Sequence, residues 1–181
     1  MNRATWLLAA VLLLAPVLTR AEVADSSATG FTVKGSYLVN AAPAAVWTKL
    51  MRVGEWWNSQ HTYSGDAHNL TLDDHAGGCF CENLAAGGSV QHMTVVFVMP
   101  GKILRLSGGL GPLQTVATAG SMSIELKPEG SGTRLTMSYM VAGYQPGGMA
   151  SWATPVDTVL GEQFTRLKNL VERGDPGKAA K

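Results

Sequence analysis

The sequence has little charge and lacks the common catalytic signatures, and each scarcity narrows its possible functions. Acidic and basic residues make up 15% of the 181 positions, and the formal net charge is +1. No run of lysine or arginine occurs, so a nucleic-acid partner is not expected. There is no Ser-His-Asp order, phosphate-binding loop or nucleotide fingerprint. What is present is 46% hydrophobic residues and 21 glycines, typical of a loop-rich β protein with an apolar interior.

The only long apolar run lies at the N-terminus. Ala4 to Leu18 is a run of 15 residues, which is shorter than the roughly 20 that a membrane span needs. Arg3 precedes it, and Thr19 and Ala21 place small residues where a signal peptidase requires them. We therefore predict a secretory signal peptide at 1–21 and a periplasmic or secreted protein, with an uncleaved anchor as the alternative. After cleavage no stable membrane span is expected.

The remaining 160 residues have the length of one domain. The segments 22–30 and 175–181 are small and polar, which predicts disordered tails on either side of a domain at 31–174. No internal repeat interrupts that domain.

A long amphipathic helix is predicted from Pro155 to Arg173. Its apolar residues recur at helical spacing. Thr154 is the expected N-cap, Pro155 suits the first helical position, and Gly174 should end the helix. Because one apolar stripe must be buried and only a sheet is available, we expect this helix to pack on a sheet.

Short segments with alternating or β-type composition fill most of the rest of the domain. The first, Phe31 to Asn40, is followed by two short helices around Pro43 to Met51 and Trp56-Trp57, and then by a polar loop from Asn58 to Asn69. Six further strands are expected at Leu70–Asp73, Cys79–Leu84, Val90–Met99, Ile103–Ser107, Ser121–Lys127 and Thr133–Val141. This order predicts an α+β fold with an antiparallel sheet of about seven strands.

Cys79 and Cys81 leave three interpretations open. An exported protein favours a disulfide, although residues i and i+2 of a regular strand lie at the limit of disulfide geometry. A regular hairpin register would pair Cys81 with His92, so both sulfurs and an imidazole would share one face as a Cu(I) or Zn site. Two thiols packed in the sheet are the third possibility. No cofactor is predicted.

Several segments resemble a known superfamily. They are Ala42-Pro43-Ala44-Ala45-Val46-Trp47, Trp56-Trp57, Gly77-Gly78-Cys79-Phe80-Cys81-Glu82 and Val96 to Leu106. With the element order, they resemble the SRPBCC (START-like, helix-grip) superfamily over about 31–173. They are similar to its activator-of-chaperone-ATPase and polyketide cyclase/dehydrase branches. The chaperone-activating members are cytosolic, unlike the exported protein predicted here.

The resemblance implies a curved sheet around the terminal helix, with an apolar cavity between them. Members bind lipids, sterols, hormones or polyketides, and a minority catalyse cyclisation or dehydration. The ligand-binding residues expected here include a gate on two glycine-rich loops (Leu110, Leu113, Met149) and residues facing the cavity (Tyr37, His92, Met122, Met137, Tyr139, Trp152, Phe164). These side chains could instead fill a solid core.

The sequence favours a binding protein for a hydrophobic, lipid-like or polyketide-like small molecule. One alternative is an enzyme of the cyclase or dehydratase kind in the same cavity, with His92 or His61 and a carboxylate as acid and base. A regular strand places Glu82 on the face opposite to His92, which separates that pair. The other alternative is a protein-interaction module without a ligand; no particular protein partner is indicated.

Overall fold

The computed structural model describes residues 21–177, which form one antiparallel sheet and two α-helices joined by loops and 3₁₀ turns. The strands are β1 (Glu22–Ser26), β2 (Gly30–Val39), β3 (Leu70–Leu72), β4 (Cys79–Asn83), β5 (Ser89–Met99), β6 (Ile103–Ser107), β7 (Ala117–Glu129) and β8 (Gly132–Tyr144). The helices are α1 (Pro43–Leu50) and α2 (Ala153–Arg173). The predicted α+β class, with an antiparallel sheet and a C-terminal helix, is confirmed.

The sheet has eight strands, in the order β1-β2-β8-β7-β6-β5-β4-β3, rather than about seven. The additional strand is β1, which occupies part of the tail predicted to be disordered, so that prediction is wrong for Glu22–Ser26. All five of its residues are exposed. Its place is fixed instead by antiparallel pairing of its backbone with the edge of β2, and such pairing needs no apolar pattern to signal it.

One face of the sheet forms the core. Leu106, Met122, Tyr139 and Val33 lie side by side across β6, β7, β8 and β2. All four are buried. Because side chains alternate along a strand, this register brings every second residue of these strands to the same face. The inward residues expected from the alternation in β2, β7 and β8 are the buried ones.

Helix α2 covers that face. Leu160, Phe164, Leu167 and Leu170 are its large buried apolar residues, at the spacing of one helical stripe. The helix begins at Ala153, so Thr154 lies inside it and is not the predicted N-cap. Pro155 is tolerated because the first N–H groups of a helix have no intrahelical partner. Gly174 ends the helix as predicted, with φ of 73° and an N–H that donates to Leu170 O over 2.9 Å.

The two ends of the sequence lie partly outside the described residues. Residues 1–20, which are nearly all of the predicted signal peptide, lie outside the described part of the chain. So do residues 178–181 of the predicted C-terminal tail. Asp175 to Gly177 have no regular secondary structure, but Gly177 O accepts a hydrogen bond of 2.7 Å from Arg166. Within residues 21–177, no helix has both the length and the apolar character needed to cross a membrane.

Candidate functional site

A cavity of about 280 Å³ lies between the sheet and the N-terminal half of α2. Its lining is mainly apolar and comes from four parts of the chain. These are the segment after α1 (Trp57, Gln60, His61, Thr62, Tyr63), the sheet (Leu70, Phe80, His92, Tyr139), the β6–β7 loop (Leu110, Gly111, Pro112, Leu113) and the start of α2 with the turn before it (Trp152, Pro155, Val156, Val159, Leu160). Tyr63 is 50% exposed, which places it at the rim of the cavity.

The residues predicted to bind a ligand fall into two groups. Five of them line the cavity: His92, Leu110, Leu113, Tyr139 and Trp152. The other five are buried but do not line it: Tyr37, Met122, Met137, Met149 and Phe164.

Each member of the second group has another place in the core. Met122 and Phe164 border a separate void of about 20 Å³ deeper between the sheet and α2. Tyr37 stacks on Phe164 with ring centroids 5.9 Å apart. Met137 is packed in the sheet core, and the N–H of Met149 donates to Ala28 O over 2.9 Å. Of the three residues predicted to form a gate, Leu110 and Leu113 line the cavity and Met149 does not.

The segment Trp57 to Tyr63 supplies a cavity wall that the sequence did not predict. We expected a short helix around Trp56-Trp57 followed by a polar loop. In the structure the indole of Trp57 packs edge-on against Phe80, with ring centroids 5.6 Å apart, and its Nε1 donates to His61 O over 3.0 Å. The loop is also tied to α2, because Asn58 Nδ2 donates to Glu162 Oε1 over 2.5 Å. A run of polar residues gives no signal of such anchoring.

A β-bulge in β5 places His92 inside the cavity. Cys79 pairs with Thr94 as predicted, but Cys81 pairs with Gln91, so His92 is the extra residue on its strand. A bulge adds one residue and reverses the alternation of faces beyond it. His92 and Glu82 are therefore both buried, at 5% and 0% exposure, and the prediction that they lie on opposite faces is wrong.

Glu82 and His92 form a buried hydrogen-bonded pair. His92 Nε2 lies 3.0 Å from Glu82 Oε2. The same carboxylate accepts from the N–H groups of Tyr63 and Ser64 over 3.1 and 2.5 Å. The imidazole packs against the rings of Phe80 and Tyr63, with ring centroids 5.2 and 6.0 Å away. The pair thus fixes the orientation of His92, and Glu82 holds the loop at Tyr63 and Ser64, here called the rim loop, against the sheet.

The hydrogen bonds of Glu82 keep it ionised despite its burial. Burial alone would raise the pKa of this carboxyl group, but hydrogen bonds from Ser64, from the Tyr63 N–H and from His92 together hold the pKa below its ordinary value of 4.5. An ionised carboxylate can only accept hydrogen bonds, so the proton between the two side chains lies on His92 Nε2. The other ring nitrogen, Nδ1, is buried and has no hydrogen-bond partner.

Tyr139 fixes the β6–β7 loop rather than leaving its hydroxyl free for a ligand. Its hydroxyl donates to Gly108 O and accepts from the Leu110 N–H, both over 2.9 Å. Burial raises the pKa of Tyr139 to about 12, so the hydroxyl stays protonated and can donate. Gly120 permits this approach, because a Cβ there would lie 2.3 Å from Gly108 O and 2.8 Å from the Tyr139 hydroxyl.

Cys79 and Cys81 form a disulfide, with their Cα atoms 5.4 Å apart. A regular strand would hold residues i and i+2 farther apart, so β4 is locally contracted between the two cysteines. The alternative metal set of Cys79, Cys81 and His92 is therefore not assembled: the sulfurs are bonded to each other, and His92 lies on the inner face beside Glu82. Within residues 21–177 no group of three potential ligands is placed to hold a metal ion.

Solved structures of other proteins share this fold. One is MLL2253 from Mesorhizobium loti, with a TM-score of 0.59 and 20% identity over 80% of this chain and 98% of that one. Another is CalU16 from Micromonospora echinospora, with a TM-score of 0.53 and 14% identity over 88% of this chain and 87% of that one. At these identities the similarity shows a common fold and nothing more.

A third similar structure is DynU16, described as a protein in the dynemicin biosynthetic locus. Its TM-score is 0.58, with 20% identity over 82% of this chain but only 49% of DynU16, so this chain matches about half of that protein. No family model matches the sequence, and a search of curated proteins finds no match.

Proposed function

We propose that this chain is an exported, START-like helix-grip protein that binds a hydrophobic small molecule between its sheet and α2. The observation that carries the proposal is the apolar cavity of about 280 Å³, which opens at the rim near Tyr63. An engineered cavity of about 150 Å³ is enough to bind benzene. The present one has room for a larger guest, and each 100 Å² of buried apolar ligand surface contributes about 2.5 kcal/mol.

The fold shared with CalU16 and DynU16 supports this proposal as an analogy. DynU16 is described as a putative protein in the dynemicin biosynthetic locus, and a small-molecule ligand here would fit the polyketide-like or lipid-like class that the sequence resemblance implies. Function does not follow from fold alone. The proposal therefore rests on the cavity, and the structural similarity is only secondary support.

Naphthalene is a suitable probe because it is apolar and has two fused rings. We expect purified protein to bind it in a calorimetric or fluorescence titration. Val159→Phe should fill the cavity and abolish binding, because Val159 lines the wall from α2. Thr158→Phe adds the same ring at the neighbouring exposed position and should leave binding unchanged. Absence of naphthalene binding by the wild type, or equal loss in both variants, would contradict the proposal. Mass spectrometry of an organic extract of the protein should identify a co-purifying ligand.

Export is supported by the predicted signal peptide and by the Cys79–Cys81 disulfide, a bond that persists mainly in oxidising compartments. When the full chain is expressed in a bacterium with a periplasm, we expect periplasmic protein whose first residue is Glu22 and which has no free thiol. A cytoplasmic product that retains Met1 would contradict export without affecting the binding proposal.

The Glu82–His92 pair favours an enzyme as the second candidate function. A histidine whose orientation is fixed by a carboxylate can accept a proton from a bound molecule. Under this proposal His92 Nδ1 removes the proton next to the carbonyl of a bound ketone, and the resulting enolate takes a proton back from the ring or from water. With 2-tetralone in D₂O, the wild type should accelerate deuterium incorporation and His92→Phe should not. No acceleration by the wild type would rule out this activity.

A further inference from the structure

His92 lines the cavity and has a buried polar side-chain atom that is not already hydrogen-bonded. This atom is the ring nitrogen Nδ1, which finds no hydrogen-bond partner among the described residues. The Tyr139 hydroxyl, which also lines it, is engaged by Gly108 and Leu110. A polar atom on an otherwise apolar wall marks where a ligand must supply a matching group.

The chemistry of this atom follows from its neighbours. Because the proton on Nε2 is donated to the ionised carboxylate of Glu82, the tautomer that carries this one proton presents a lone pair at Nδ1. The atom is therefore an acceptor and calls for a donor on the ligand. Its position is fixed by the hydrogen bond to Glu82 and by the contacts of the ring with Tyr63 and Phe80.

The charges around the cavity favour a neutral donor. No lysine or arginine is among the lining residues of the described chain. Glu82 already places one negative charge behind His92, and Glu162 lies 3.3 Å from His61 at the rim. An anionic ligand would meet these two carboxylates with no fixed cation to oppose them, and burying an unpaired charge is costly.

We infer that the ligand of this cavity is an apolar molecule with a hydroxyl group, an alcohol, phenol or enol, whose O–H donates to Nδ1 of His92. The inference rests on the proposed binding function and adds the chemical class of the ligand. His92 is then the residue that determines specificity, and Glu82 is a positioning residue that fixes its tautomer and ring plane.

Four ligands with the same ring system separate the effects of apolar burial, hydrogen-bond donation and negative charge. They are naphthalene, 2-naphthol, 2-methoxynaphthalene and 2-naphthoate. We expect the wild type to bind 2-naphthol about tenfold more tightly than naphthalene or 2-methoxynaphthalene. Naphthalene has no polar group, and the methyl ether can accept a hydrogen bond but cannot donate one. In His92→Phe, naphthalene binding should persist and the preference for 2-naphthol should disappear. His75→Phe alters an exposed histidine outside the cavity and should keep the preference.

Nuclear magnetic resonance provides a measurement that does not depend on a folded variant. In ¹⁵N-labelled wild-type protein, the resonance of His92 Nδ1 should shift on addition of 2-naphthol and not on addition of 2-methoxynaphthalene. If naphthalene, the naphthol and the ether bind equally, the inference is wrong while the proposed function stands. If 2-naphthoate binds most tightly, His92 acts as a cation and the inference is wrong. If none of the four binds, the proposed function itself fails.

Discussion

The two halves of α2 face the same sheet, yet one half is closely packed, with a void of only about 20 Å³, and the other leaves a cavity of about 280 Å³. At the packed end, Phe164, Leu167 and Leu170 are buried against the sheet. Phe164 there contacts the rings of both Tyr37 and Trp56, at 5.9 and 6.0 Å. At the hollow end, Val156, Val159 and Leu160 line the open space. The apolar stripe of the helix is continuous across both ends, so the stripe itself does not determine where the cavity lies.

The hollow end differs because residues from two loops complete its walls. The rim loop is held by Glu82, and the β6–β7 loop is held by Tyr139. Both contacts are hydrogen bonds between a buried side chain and backbone groups, which fix position without filling volume. The packed end is thus stabilised mainly by burial of apolar surface, whereas the hollow end depends on directional bonds.

The largest effect of a substitution on stability is expected at the packed end of α2. Phe164→Ala should lower the free energy of unfolding by about 3–5 kcal/mol, because it removes a fully buried ring and leaves a hole. Urea denaturation measures this change. A loss below about 1 kcal/mol would show that the packed end is as loosely filled as the hollow end.

An intermediate effect on stability is expected when Glu82, the buried carboxylate of the hollow end, is replaced. Glu82→Gln replaces one accepting oxygen by an amide that donates, which conflicts with at least one of the three donors around it. We expect a loss of about 1.5–3 kcal/mol at pH 7. Glu129→Gln, which changes a carboxyl group paired with Arg134 on the protein surface, should have a much smaller effect.

The pH dependence of that effect has a definite sign. The pKa of Glu82 is lower in the folded protein than its ordinary value of 4.5, so the folded state favours the ionised form. The contribution of Glu82 to the free energy of unfolding is full above about pH 4.5. It is lost as the pH falls through the pKa that Glu82 has in the folded protein. The difference in stability between wild type and Glu82→Gln should therefore shrink on acidification below pH 4.5, as followed by denaturation at a series of pH values. A difference that grows under acid would contradict the assignment.

The smallest effect is expected from truncation at the cavity wall. Val159 is only half-buried and faces open space. Val159→Ala should cost about 1 kcal/mol or less in unfolding free energy, while naphthalene binding changes because the cavity becomes larger. A cost comparable to that of Phe164→Ala would mean that the space near Val159 is filled in solution.

The sequence was sufficient to predict most of the fold and a part of the site, for identifiable physical reasons. Alternation along β2, β7 and β8 depends only on which side chains are apolar, so their inward faces could be predicted. The exposed strand β1 has no such pattern. The bulge at His92 has no marker in composition, and one extra residue was enough to invalidate the prediction that Glu82 and His92 lie apart. The wall from Trp57 to Tyr63 depends on bonds to residues distant in the sequence, Glu82 and Glu162, which local patterns cannot show.

The extra residue in β5 also has a consequence for how such a protein could diversify. Because His92 has no partner opposite it on β4, its replacement breaks no backbone pairing of the sheet, although it removes the hydrogen bond to Glu82. The register of the strands and the chemistry displayed to a guest therefore depend on different contacts at this one position. Exchange of a single side chain could retune which molecules are accepted, while the strands around it keep their register.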